Sequence, residues 1–198
     1  MSQCSVSFHL RSKNSQEVVD LLKGCGLNGY VFPSVSNWTT FVCEEEHIEK
    51  NDRLINANTG LMVYYSFAEE YGWEFSIFKA NKKICSYGCL WGGPIFDEDG
   101  EIIIDENGEL LEIESISIND SNLNINELLE LIENDSSKVN KMKEILYPKS
   151  IQEAIESSPY YTFAELLGIE NIDWISYGIV SRHKEDYSTM CQVQEVIF

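Results

Sequence analysis

Apolar and polar residues alternate strictly over residues 4–11, with Cys4, Val6, Phe8 and Leu10 on one face and Ser5, Ser7, His9 and Arg11 on the other. A period of two predicts a half-buried strand whose second face is polar. The next stripe, Val18, Val19, Leu21, Leu22 and Cys25, has helical spacing; Asn14 or Ser15 would cap it, and Gly24 and Gly26 would end it. Residues 30–32 and 38–43 read as short strands separated by Pro33. Residues 44–56 read as a polar surface helix, with Glu46/Lys50 and Glu49/Arg53 at the favourable spacing of four. Leu61–Ala68 is almost continuously apolar, which predicts a central strand. Residues 73–80 and 84–91 follow it across short polar turns, as in an antiparallel meander. The order β-α-β-β-α-β-β-β predicts an α+β fold: a mostly antiparallel sheet with these helices packed on one face.

After Gly92-Gly93-Pro94 the pattern changes. Ile95-Phe96-Asp97-Glu98-Asp99-Gly100-Glu101-Ile102 is followed at once by Ile103-Ile104-Asp105-Glu106-Asn107-Gly108-Glu109-Leu110, an eight-residue repeat. Glycine closing each acidic run supplies the positive φ of a tight turn, and the apolar residues between the runs make short strands. This predicts an acidic β-hairpin insertion over about residues 93–118.

A helical segment follows over about 123–169. Leu123, Ile125, Leu128, Leu129 and Ile132 form one stripe; Val139, Met142, Ile145 and Leu146 form the next, which stops at Pro148. Ser150 with Glu153, and Thr162 with Glu165, have the capping-box spacing that opens two further helices. The 174–177 stretch suits helix or strand, and residues 192–198 are β-rich and expected to rejoin the sheet. With no linker or low-complexity stretch, residues 1–198 read as a single α+β domain.

Charge sharpens this picture. The chain carries 33 acids and 14 bases, a net charge of −19. Residues 84–137 contain 14 of the acids and no Lys, Arg or His, so the acidity is concentrated there. Such a surface repels nucleic acid and anionic membrane, and neither is expected as a partner. The charged first 25 residues predict no secretory signal, and no stretch has the length of a membrane span. The expected location is cytoplasmic, with the six cysteines reduced and Cys4, Cys25, Cys43 and Cys191 packed as small hydrophobes.

Candidate chemistry is sparse. Cys85 and Cys89 share a strand face about 13 Å apart at ~3.3 Å per residue, too far for one ion. The repeat places Asp97, Asp99 and Glu106, or Asp105, Asn107 and Glu114, at calcium-loop spacing, but Ile95 and Ile103 occupy the first-ligand position and strands flank the loops. Solvated turns are the expectation, with no metal and no cofactor. His9, His47 and His183 accompany no nucleophile signature, so no catalytic residue is assigned. Trp38, Tyr64, Tyr65, Phe67, Trp73, Phe75, Phe78 and Trp91 are expected in the core.

Three segments carry a resemblance: Asn37-Trp38-Thr39-Thr40-Phe41-Val42 before an acidic helix, Leu61–Ala68 with Gly72-Trp73-Glu74-Phe75-Ser76-Ile77-Phe78, and Phe163-Ala164-Glu165-Leu166-Leu167-Gly168-Ile169. Together the chain resembles bacterial α+β proteins of unassigned activity and is similar in style to the acidic immunity proteins of toxin systems. The resemblance implies a cytoplasmic binding protein without catalytic residues; the octad repeat has no counterpart in it. The functional expectation is a binding protein, immunity-like or regulatory, that engages a basic protein partner. Its contact residues would be Asp97, Glu98, Asp99, Glu101, Asp105, Glu106 and Glu109. The alternatives are a small-molecule or metal-dependent enzyme whose site assembles only in space, and a housekeeping domain whose charge serves solubility. The sequence leaves the oligomeric state open.

Overall fold

The computed structural model describes residues 4–95, 101–132, 135–173 and 175–198. Among these, eight strands form one sheet in the order β7-β6-β5-β4-β1-β3-β2-β8, and every neighbouring pair is antiparallel. They are β1 (Cys4–Leu10), β2 (Gly29–Val31), β3 (Thr39–Cys43), β4 (Leu61–Ala68), β5 (Gly72–Lys79), β6 (Lys82–Leu90), β7 (Ser117–Asn119) and β8 (Gln194–Val196). The expected α+β architecture is present, with β4 central and the chain's last strand rejoining the sheet beside β2.

Helix α1 (Ser15–Cys25) begins where the Asn14 side chain accepts from Gln16 N–H, and ends at Gly26 in the left-handed conformation. Its buried Val18, Val19 and Leu22 pack with Leu54 of α2 (Asp52–Ala57) on one sheet face, against Phe8, Phe41, Met62 and Phe78. The two helices of the N-terminal half therefore share a face. The second is shorter than its sequence suggests: residues 44–47 are irregular, Ile48–Lys50 is a single 3-10 turn, and α2 begins only after Asn51 caps Leu54 N–H. Few apolar residues lie between 44 and 53 to hold a longer helix down.

The opposite face is covered by the C-terminal helices α3 (Ile125–Leu131), α4 (Ser136–Leu146), α5 (Ile151–Ser157) and α6 (Pro159–Leu167). Val63, Tyr65, Phe67, Trp73, Phe75, Ile77, Cys85, Tyr87 and Cys89 point into this larger core, as strand alternation requires. Phe163 of α6 stacks on Phe75 with ring centroids 4.4 Å apart, and Tyr160 stacks on Phe67 at the same separation. All eight aromatics expected inside are buried. Ser150 and Glu153 do cap α5, but Thr162 and Glu165 lie inside α6, which starts at Pro159; proline at a helix start needs no N–H partner.

Three further corrections concern the ends of the chain. His9 and its strand mates Ser5 and Ser7 are wholly buried: the segment after α6 reaches Ser5, whose Oγ lies 2.6 Å from Ile172 O and 2.8 Å from Ile175 O, and His9 lies among Ser7, Thr40 and Tyr65. The stretch around His183, read as a charged loop, joins α7 (Tyr177–Arg182) to α8 (Lys184–Cys191). Cys4 is exposed rather than packed, since it sits at the start of β1 beyond the reach of α1. No helix among the described residues is long and apolar enough to cross a membrane.

Candidate functional site

The acidic insertion is built by its own repeat. Ile95, Ile103 and Leu111, eight residues apart, join in a closed ring of backbone hydrogen bonds: Ile103 N–H donates to Ile95 O (2.9 Å), Leu111 N–H to Ile103 O (3.0 Å), and Ile95 N–H to Leu111 O (2.8 Å). Single antiparallel bridges, Pro94 with Glu112 and Ile104 with Leu110, flank the ring. Equal spacing thus makes three short segments pair mutually, an arrangement more compact than the expected run of hairpins.

Of the seven acids assigned to this surface, Asp97, Glu98 and Asp99 lie outside the described residues. Glu101, Glu106 and Glu109 are exposed, and Glu112 and Glu114 join them from the third segment. Asp105 has a different task. Its Oδ1 accepts from the backbone N–H of Asn107 and of Glu109, each at 2.8 Å, and Oδ2 accepts from the Asn107 amide at 3.1 Å. These donors, the Glu109 N–H foremost, hold its carboxyl below the usual range. Gly108 closes the turn at φ 82°. Asp105→Ala is expected to leave the global fold intact and speed amide exchange at Asn107 and Glu109; unchanged protection there would show that the carboxylate does not hold the turn.

Between the carboxylates the insertion exposes aliphatic surface: Ile95 at 37%, Ile102 at 48%, Ile104 at 58%, Leu110 at 55% and Leu111 at 41%. Ile95, Leu110 and Leu111 line a groove of about 640 Å³ together with Asp105, Glu109 and Glu112. Three short segments cannot bury both sides of themselves, so these side chains stay in water.

A second feature lies on the sheet. Helices α1 and α2 cover β1, β3, β2 and the Met62 and Phe78 ends of β4 and β5, while the rest of that face over β4 to β7 carries a trough. Its middle row, fixed by register, is Val6, Ser66, Glu74, Gly88 and Asn119 on five adjacent strands. One half, about 540 Å³, is polar and includes His47, Lys50, Tyr64, Ser76, Lys83 and Ser86. The other, about 500 Å³, is walled by Cys4, Val6, Ala68, Tyr71 and Leu90. Glu74, Gly88 and Asn119 belong to both. The Tyr64 hydroxyl donates to Glu74 Oε1 at 3.1 Å, and burial, then the Glu74 charge, pushes the phenol up.

No family model, curated protein or solved structure matches this chain. Function must therefore be read from the side chains themselves.

Histidine chemistry offers little. His9 Nε2 lies 2.9 Å from Ser7 Oγ and Nδ1 2.9 Å from Thr40 Oγ1, distances that suit a nucleophile and its base. Ser7 and His9 are both 0% exposed, so no substrate reaches them. Cys85 and Cys89 lie in the core beside Tyr87, where burial pushes both thiols up and makes them poor nucleophiles. Among the described residues no three His, Cys, Asp or Glu side chains group as a metal site. Sequence reasoning missed the trough. Its signal was present in the polar alternates Ser66, Glu74, Ser76, Ser86 and Gly88, which share a face only once the strand register is known.

Proposed function

We propose that this chain is a binding protein that neutralises or regulates a basic protein partner, docking it on the acidic insertion in the manner of an immunity-style inhibitor. The observation that carries the reading is the exposed aliphatic surface of Ile95, Ile102, Ile104, Leu110 and Leu111 set among carboxylates. Exposed apolar patches with polar rims mark protein interfaces. The apolar part supplies burial on docking, and the acids steer an oppositely charged surface toward it. An enzyme would call for a deep pocket holding a buried carboxylate or histidine; here His9 is wholly enclosed and the trough's carboxylate is exposed. The six unpaired thiols support a reducing, cytoplasmic setting.

The test replaces Asp97, Glu98, Asp99, Glu101, Asp105, Glu106 and Glu109 by Ser or Asn and compares affinity capture from the native host at low salt. The native chain is expected to retain a basic protein that elutes as salt rises and that the substituted chain does not retain. A pair of chains that capture the same proteins at every salt concentration would overturn the reading.

A further inference from the structure

The apolar half of the trough adjoins the root of the insertion. β6 ends at Leu90, which lines the trough, and the insertion departs directly after it; β7 returns at Ser117, on the same wall. Trp91 N–H donates to Tyr71 O at 2.9 Å, so the departing chain is pinned to the trough's edge. A partner lying on the insertion would reach this hollow without leaving the surface.

The hollow has a specific chemistry. Among the described residues, Glu74 is the only charged one lining it. Its cross-strand neighbours, Ser66 and Gly88, are uncharged, and Tyr64 is its hydrogen-bond donor from the other half. Beside the carboxylate the lining is Val6, Ala68, Tyr71 and Leu90, with Tyr71 and Leu90 each 47% exposed. From the Cys4–Ala68–Gly72–Leu90 row to the Glu74 row is two residues of strand, about 6.6 Å at ~3.3 Å per residue. That span suits the three- or four-carbon stem of Arg or Lys, which packs on apolar surface while its head seeks charge. Gly88 leaves the space between Glu74 and Asn119 open.

We propose that this hollow receives an arginine or lysine side chain of the basic partner, its stem against Leu90 and Val6 and its cationic head on Glu74. The assignment rests on the reading of the insertion as the docking surface. In the polar half Lys50 and Lys83 stand with Glu49, and the apolar surface that a stem can cover lies at the Leu90 end, so the side chain enters there. A guanidinium makes the better fit, since it can bond the carboxylate through two N–H groups.

The test uses the full chain alone, by backbone amide NMR, with Nα-acetyl-argininamide as probe and its uncharged isostere Nα-acetyl-citrullinamide as control. Saturable shifts are expected at Ser66, Glu74, Gly88, Leu90 and Asn119 with the first and not the second, at least tenfold weaker in Glu74→Gln and lost in Gly88→Val. A Cβ at Gly88 meets nothing closer than Glu74 Cβ at 3.7 Å, so the backbone accepts a side chain there. Should Gly88→Val fail to fold, the Glu74→Gln comparison decides. Absence of localised shifts, equal shifts with the citrulline compound, or undiminished binding in Glu74→Gln would overturn the proposal. The probe needs no partner, so failure here leaves capture by the insertion standing. Intact probe binding alongside unchanged capture by the seven-acid variant fails only the insertion reading.

Discussion

Acidification from about pH 7.5 to 5 is expected to remove about 2 kcal/mol of folding stability through His9 alone. The imidazole is wholly buried, and burial holds its pKa down at about 3 from an ordinary 6.5. The unfolded chain therefore binds a proton as pH falls through 6.5, while the native chain does so only near 3. Stability is complete above the higher value and declines by about 1.4 kcal/mol per pH unit between the two. The lost term is solvation: Ser7 and Thr40 could accept from a doubly protonated ring, but they cannot replace water around its charge. Urea denaturation across this range should show a decline in the native chain about 2 kcal/mol larger than in His9→Gln, whose amide can still meet both hydroxyls. Equal slopes in the two would remove His9 from the account.

That histidine also shows where sequence reading stops. Alternation at residues 4–11 identifies the strand and sorts its two faces, yet it marks Ser5, Ser7 and His9 as a polar face, which readily suggests solvent. Contacts between distant chain positions enclose that face: Ile172 and Ile175 meet Ser5, while Thr40 and Tyr65 flank His9. Helices α7 and α8 were hidden for a related reason. α8 has no buried residue, and α7 buries only Val180, leaving no stripe to read. The octad repeat was plain in the sequence, whereas the mutual pairing of its three segments was not, because periodic spacing sets segment length without choosing partners. In the trough, the residues are legible as strand alternates, but register decides that Ser66, Glu74, Gly88 and Asn119 stand in line.

The two candidate surfaces have one structural origin. Helices α3 to α6 spend their apolar stripes on one face of β4 to β6, and α1 and α2 spend theirs on the other face, over β1 to β3 and the Met62 and Phe78 ends of β4 and β5. The trough is what these helices leave open, and the insertion leaves the fold at its border. A binding surface placed there can change its side chains with little effect on either core.

Phe163→Ala tests that separation and should carry a comparably large energetic effect. Phe163 is fully buried, 4.4 Å from the Phe75 ring, 5.3 Å from Trp73 and 5.8 Å from Tyr65 by centroid. With Tyr160, which stacks on Phe67, it joins α6 to β4 and β5. Truncation removes the ring's burial and leaves a cavity between rigid aromatics that cannot close, a loss of about 3–5 kcal/mol. In a chain of this size the melting temperature should fall by on the order of 10 °C. Trp73 emission should change in the folded state, while Phe163→Leu, which fills more of the space, should recover most of the stability. Because the affected face lies opposite the trough and away from the insertion's exposed surface, the variant should still capture a basic partner at temperatures where it remains folded. A folded Phe163→Ala chain that no longer did so would mean the closed core shapes the open face, and the proposed docking on the insertion would then not be independent of the core.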